Sequence, residues 1–108
     1  AIGNEPRDPT YDSSGHWRRV MQGHAAANMV PVIAANRVGV ESNSDTEMNF
    51  YGSSFIVDAT GAVVASAPRE EEAVILAEFD LEAIRQQRQK WGLFRDRRPD
   101  LYRNISDS

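Results

Sequence analysis

The run Val32-Ile33-Ala34-Ala35 restricts the possible folds of this chain more than any other stretch. It is apolar at every position and lacks the alternation of a half-exposed strand. A short continuous run of this kind suits a strand buried on both faces. Such a strand needs a layer above it and a layer below it. From His16 to Asn28 the apolar positions Trp17, Val20, Met21, His24 or Ala25, and Ala27 or Asn28 recur at three-four spacing, which predicts one helix. Arg18, Arg19 and Gln22 fall on its other side. Ser13 or Ser14 can cap it, and Val30-Pro31 ends it. A second helix starts at the cap Asp80, carries Leu81, Ile84, the stem of Arg88 and Trp91 on one face, and stops at Gly92. Two helices are few for a sheet with two apolar faces, and an uncovered face must find a partner.

The remaining elements follow from turn residues and strand patterns. Residues 1–15 hold Gly3, Asn4, Pro6, Asp8, Pro9, Asp12 and Gly15, which is ordered loop chemistry. Residues 39–49 read as a polar loop. Phe50 to Val57 reads as one strand with a glycine at Gly52. Ala59-Thr60-Gly61 is its turn and Ala62 to Ala67 the return, the clearest hairpin signal in the chain. Pro68 and the acidic run Glu70-Glu71-Glu72 make a solvated loop, and Ala73 to Phe79 reads as a further strand. The predicted class is α/β, with about four strands and two helices. Two architectures stay open: a small independent α+β domain, or the C-terminal part of a larger four-layer fold.

Composition narrows the chemistry. At 108 residues there is room for one domain at most. The net charge of −4 argues against a nucleic-acid footprint. Of the 12 basic residues only Lys90 is a lysine; the rest are arginines, which favour bidentate and partly buried pairing. The absence of cysteine excludes disulfides, thiolate metal sites and a cysteine nucleophile within these residues. The apolar runs are far shorter than a membrane span. The chain opens at Ala1-Ile2-Gly3 without an initiator Met or a visible signal peptide, as an excised piece would.

Few residues stand out as chemical groups. His16 and His24 are too far apart along the helix for an i,i+4 metal pair, so one rim and one packed histidine are expected. Ser53-Ser54 lacks the Gly-x-Ser-x-Gly frame, and no histidine follows it. Gly52-Ser53-Ser54 instead marks a place where backbone approaches another segment. Gly3-Asn4-Glu5-Pro6 holds a carboxylate in a rigid loop, either as a turn-stabilising group or as a cation ligand. The stretch Trp91-Gly-Leu-Phe-Arg-Asp-Arg-Arg-Pro-Asp-Leu-Tyr102 fits neither the helix nor the strand period. Rings and guanidinium forks at that density lie on another surface.

Read together, the motifs carry a resemblance. They are Ala1-Ile-Gly-Asn-Glu-Pro6, His16-Trp17, Gln22-Gly23-His24-Ala25, Ala27-Asn28, Ala35-Asn36-Arg37-Val38-Gly39, Phe50-Tyr-Gly-Ser-Ser-Phe-Ile56, Phe79-Asp80-Leu81 and Trp91 to Tyr102. In this order they closely resemble the C-terminal part of the N-carbamoylputrescine amidases, a family of the nitrilase superfamily of carbon–nitrogen hydrolases. The resemblance implies an α-β-β-α sandwich and a Glu–Lys–Cys triad. In such a triad the Cys attacks the ureido carbon, the Glu serves as general base and acid, and the Lys stabilises the oxyanion. It implies hydrolysis of N-carbamoylputrescine to putrescine, carbon dioxide and ammonia, a step of polyamine biosynthesis. No cofactor or metal is implied, and a cytoplasmic homo-oligomer is.

No residue of this chain maps onto the triad. All three members are expected upstream, with the Cys a few tens of residues before Ala1, and the 108 residues alone are expected to be inactive. Residues 1–108 would be the C-terminal portion of one domain, with its N-terminal part as a partner. Residues 91–108 would be a tail on a subunit contact, its arginines pairing with Asp96, Asp100 and a neighbouring subunit. The resemblance makes Glu5 the candidate for holding the distal ammonium of the substrate. Asn28 and Asn36 would support the site, and Tyr51 to Ser54 would line the inner sheet. Two alternatives stand beside this. A β-ureidopropionase-like hydrolase would act on carboxylate-bearing ureides, which call for Arg or Lys rather than Glu5. A non-catalytic domain would dock through the Arg-rich tail.

Overall fold

The structure, a computed structural model, describes residues 1–8 and 10–106. Pro9, which the sequence assigns to the opening loop, and Asp107 and Ser108, which it assigns to the tail, lie outside the described residues. The element order is α1 (Ser14–Asn28), β1 (Val32–Ala34), β2 (Val38–Ser42), β3 (Glu47–Tyr51), β4 (Phe55–Val57), β5 (Val63–Ser66) and α2 (Leu81–Trp91). A 3-10 turn (Pro99–Leu101) and a short α3 (Arg103–Ser106) follow, so part of the tail expected to be irregular is helical.

Helix α1 starts from a different cap than the serines suggest. The Ser14 N–H donates to Asp12 Oδ1 at 3.0 Å. Ser13 occupies the cap position without a side-chain cap bond, and its hydroxyl meets Tyr51 Oη at 3.2 Å. Hydrogen bonds from the Ser14 side chain and N–H, aided by the Arg69 charge, hold the Asp12 carboxyl below its ordinary range. The helix packs on a three-stranded antiparallel sheet of order β1-β4-β5. Register pairs Val32 with Val57 and Ala34 with Phe55, which puts these four side chains on one face. Ala25, Phe55 and Val57 are fully buried there, with Trp17 and Met21 packed against them. The Trp17 ring meets Phe55 edge-on at 5.0 Å between centroids.

The other face of β1 does not match the expected double burial. Ile33 is 71% exposed, because no described element lies over it. Two further expectations fail nearby. Residues 39–49 form a second, two-stranded sheet of β2 and β3, not a loop. Its turn is set by Asn43, whose Oδ1 accepts the N–H groups of Asp45 and Thr46 at 3.0 Å each. The run Phe50 to Val57 is not one strand. It breaks after Tyr51, and the two halves belong to different sheets.

The break has a clear cause. Gly52 and Ser53 both adopt left-handed backbone, at φ 53° and 58°. A Cβ on Gly52 would sit 2.6 Å from the Arg69 carbonyl oxygen and 2.7 Å from Val38 Cγ1. Only glycine fits there. The Gly52 N–H donates to the Arg37 carbonyl and the Ser53 N–H to the Pro68 carbonyl, at 2.9 and 3.2 Å. The close backbone approach expected at Gly52-Ser53-Ser54 is therefore present.

The β4–β5 hairpin forms as expected. Asp58 Oδ1 accepts the Thr60 N–H at 2.8 Å, the Thr60 hydroxyl at 2.6 Å and the Ala62 N–H at 3.2 Å. These bonds, the Thr60 hydroxyl foremost, pull the Asp58 carboxyl below its usual range. The strand expected at Ala73 to Phe79 is absent. Val74 and Leu76 are 88% and 86% exposed, and the segment has no ladder partner among the described residues. Helix α2 follows with its expected caps. The Asp80 side chain accepts the Ala83 N–H at 3.0 Å, and left-handed Gly92 closes the far end. Its apolar stripe stays open, however, with Leu81 71% and Trp91 62% exposed. The radius of gyration is 17.9 Å and the extents are 52 × 39 × 18 Å. A compact domain of this length has a radius of about 13 Å. The chain is a thin slab.

In the full-length protein, Gly52→Ala should lower stability by about 2–3 kcal/mol in denaturant titration, through strain and the clash with the Arg69 carbonyl. In the same full-length protein, Asp58→Ala should cost about 1 kcal/mol at neutral pH. Because the native carboxyl titrates below the unfolded one, the Asp58 contribution is complete above about pH 4 and falls as pH drops through the native pKa. The gap between wild type and Asp58→Ala should therefore narrow in acid titrations of stability.

Candidate functional site

The opening loop, the end of β1 and the Gly52 break converge at one place. Asn36, just past β1, donates through Nδ2 to the Ile2 carbonyl at 2.8 Å and the Gly52 carbonyl at 2.9 Å. Its Oδ1 accepts the Ile2 N–H at 2.8 Å. Its own N–H donates to Ser54 Oγ at 2.7 Å, and the Ser54 hydroxyl donates to the Asn36 carbonyl at 3.3 Å. Asn36 thus ties the opening loop to the break between the sheets.

The loop then runs along β3. Gly3 bridges Phe50 in antiparallel fashion. The Asn4 N–H donates to the Asn49 carbonyl at 2.9 Å, and the Asn49 N–H donates to Asn4 Oδ1 at 2.6 Å. A Cβ on Gly3 would fall 2.5 Å from the Asn49 carbonyl oxygen, so glycine permits this approach. Glu5 follows, with its side chain exposed. Glu5 Oε1 accepts the Arg7 N–H at 3.1 Å, and the Glu5 carbonyl accepts the Asp8 N–H at 3.0 Å. Glu5 therefore stabilises its turn and still faces solvent.

Two polar hollows lie beside this loop. One, of about 150 Å³, is lined by Asn4, Tyr11, Asp12, Asn49, Tyr51 and Arg69. The other, of about 210 Å³, is lined by Ser14, Gly15, Arg18, Ser53 and Arg69. Glu5 lines neither. Arg69 forms the wall between them. Its guanidinium lies 5.4 Å from the Tyr51 ring centroid, and Nη1 reaches Asp12 Oδ2 at 3.3 Å and Ser14 Oγ at 3.1 Å. Arg18 lies 5.2 Å over the Phe55 ring and donates to the Ser53 carbonyl at 3.4 Å. Sequence patterns pointed to neither arginine. The one available signal for Arg69 is a lone cation after Pro68, ahead of an acidic run.

The other candidates fall elsewhere. Asn28 donates to the His24 carbonyl at 2.9 Å, inside the end of α1, and no described bond ties it to the Glu5 loop. His16 Nδ1 lies 3.5 Å from Tyr11 Oη, and His24 is exposed rather than packed. No trio of His, Cys, Asp or Glu suited to a metal ion occurs among the described residues. No helix among them is long and apolar enough to cross a membrane. In the tail, Arg95 pairs with Asp96 at 2.9 Å and Arg98 with Asp100 at 2.7 Å. Arg88 and Arg97 lie over the Phe94 ring at 4.8 and 5.4 Å. These local pairs at Asp96 and Asp100 are the ones expected.

Comparison with known proteins adds to this geometry. The family described as carbon-nitrogen hydrolase matches residues 5–89. The citrullinase of Francisella tularensis subsp. tularensis (strain SCHU S4 / Schu 4) is 57% identical over 105 residues, covering 97% of this chain and 37% of that protein. The N-carbamoylputrescine amidase of Arabidopsis thaliana is 55% identical over 107 residues, covering 95% of this chain and 36% of that protein. The crystal structure of a carbon-nitrogen hydrolase from Helicobacter pylori G27 superposes with a TM-score of 0.80 at 38% identity, over 96% of this chain and 38% of that one. The chain thus spans little more than a third of the length of these relatives.

Gly3→Ala should lift the opening loop off β3. The Asn49 amide, now held by Asn4 Oδ1, should then exchange its hydrogen at least about tenfold faster, while the Val57 amide in the core keeps its rate.

Proposed function

Because this chain belongs to the carbon–nitrogen hydrolase family, we propose that it is part of an amidase acting on N-carbamoylputrescine, releasing putrescine, carbon dioxide and ammonia for polyamine biosynthesis. The observation that carries this reading is similarity over nearly the whole chain to relatives named for that activity, from Arabidopsis thaliana, Solanum tuberosum and Solanum lycopersicum. On this reading the nucleophile and its acid–base and oxyanion partners come from outside residues 1–108, which hold no cysteine. The chain alone is then inactive. Its contribution is the inner sheet beside the site and the carboxylate of Glu5. A butane-1,4-diamine end carries one positive charge, and a fixed carboxylate selects for it.

The missing layer is the chain's first partner on this reading. Ile33, Val74, Leu76 and Leu81 are apolar and open, and an N-terminal part of the same domain would cover such a face. The tail from Trp91 onward would rest on a neighbouring subunit, with Trp91 and Leu101 as exposed anchors.

Citrulline is the second substrate to weigh, on the 57% identity to a citrullinase. It shares the terminal ureide and the distal ammonium and adds a carboxylate, which needs a cation. Arg69, which lines the same hollow as Asn4, is the group for that role. A β-ureidopropionate-type substrate has a carboxylate and no ammonium, so Glu5 would repel it.

The test is steady-state kinetics on the full-length protein. The expected order of kcat/KM is N-carbamoylputrescine, then L-citrulline, then N-carbamoyl-β-alanine. Glu5→Gln should raise KM for N-carbamoylputrescine at least about tenfold, an effect of about 1.4 kcal/mol, while thiol alkylation keeps its rate. Unchanged kinetics would remove Glu5 from the site, and a preference for N-carbamoyl-β-alanine would replace the substrate assignment.

A further inference from the structure

We propose that Asn36 and Asn4 are positioning residues whose side-chain amides lock the register of the opening loop on β3 and so fix the Glu5 carboxylate. The inference rests on the reading of Glu5 as the group that meets the substrate's ammonium.

The Asn36 amide behaves as a stand-in peptide group. It accepts the Ile2 N–H at 2.8 Å and donates to the Ile2 carbonyl at 2.8 Å, as a strand neighbour would. Its second Nδ2 hydrogen goes to the Gly52 carbonyl at 2.9 Å. Both donors of the amide are therefore spent on backbone, one on the loop and one on the break between the sheets. The Asn36 backbone is itself held, because its N–H donates to Ser54 Oγ at 2.7 Å. Asn4 completes the lock from the loop side, where its Oδ1 accepts the Asn49 N–H at 2.6 Å. Between the two amides lies one bridge, Gly3 to Phe50.

One bridge fixes register poorly. A slip of one residue would move the loop by about 3.3 Å and turn each side chain to the opposite face. Glu5 is the first residue past Asn4, so its carboxylate would move with it. Recognition of an ammonium by a charge-assisted hydrogen bond tolerates far less displacement. The two amides forbid the slip, because Asn36 ties Ile2 to the Gly52 carbonyl and Asn4 takes the Asn49 N–H. Asn36 and Asn4 act on the substrate only through Glu5.

The experiment uses the full-length protein and two ureides, N-carbamoylputrescine and its uncharged analogue butylurea. The readout is the ratio of their kcat/KM values, with KM and kcat recorded separately. Asn36→Asp keeps the acceptor for Ile2 and loses both donors; it should lower the ratio at least about tenfold, through KM for the cationic substrate. Asn4→Ala should lower it similarly. Asn4→Asp should restore it, because a carboxylate accepts the same Asn49 N–H. Glu5→Gln should lower the ratio too, and adding Asn36→Asp to it should change the ratio no further. Should Asn36→Asp not fold, the Asn4→Ala and Asn4→Asp pair decides the same question. A lowered ratio in Glu5→Gln with an unchanged ratio in the asparagine variants overturns the positioning role and leaves the Glu5 reading standing. Equal losses on both substrates in the asparagine variants also overturn it. An unchanged ratio in Glu5→Gln removes the Glu5 reading, and the positioning role with it.

Discussion

Gly52 and Ser53 turn the chain through two consecutive left-handed residues, and the sheet arrangement follows from that turn. Without it, Phe50 to Val57 would run on as a single strand. With it, Tyr51 closes the β2–β3 ribbon and Phe55 opens the centre of the β1-β4-β5 sheet. The turn is tied from three sides, by the Arg37 and Pro68 carbonyls and by Asn36 Nδ2. Its neighbours carry the core: Tyr51 and Phe55 flank it, and Trp17 of α1 packs on both, at 5.9 and 5.0 Å. Left-handed backbone at a non-glycine residue costs on the order of 1–3 kcal/mol. The Ser53 hydroxyl, donating to the Tyr51 carbonyl at 2.8 Å, offsets part of that cost.

The core that rests on this turn is small. Ala25, Met29, Tyr51, Phe55, Ile56 and Val57 are its buried hydrophobics. Apolar burial is what chiefly offsets the conformational entropy of folding, and six buried side chains supply little of it. The exposed pairs of the tail add little, since solvent screens them. Meanwhile Ile33, Val74, Leu76, Leu81 and Trp91 stand in solvent. The same fact explains the thin shape and the missing strand at Ala73 to Phe79. That segment has strand composition and pairs with no described strand.

What the sequence made legible was what local chemistry decides. Asp80 and Gly92 marked the ends of α2, because capping is settled within one turn of helix. The Asp58 to Ala62 turn was legible for the same reason. The β2–β3 ribbon was not. Its strands expose Gly39, Glu41, Ser42 and Asn49 among scattered apolar residues, so no period of two stands out. Nor was the break at Gly52, since glycine inside an apolar run signals a bulge as readily as a change of sheet. At the candidate site, Glu5 and Asn36 were named from family likeness, and the structure shows Asn36 holding the loop that carries Glu5. Arg69 escaped notice because its partners, Asp12 and Ser14, lie far away in sequence.

The central proposal is physical: these residues are the C-terminal portion of a larger domain, and Glu5 reads a cation at its edge. Thermal unfolding of the isolated 108-residue chain, followed together by near-UV and far-UV circular dichroism, tests the first half most directly. The account predicts no cooperative near-UV transition and strong binding of a hydrophobic dye, because the open apolar face lacks its cover. A monomer that melts reversibly, with coincident near-UV and far-UV transitions, would contradict it.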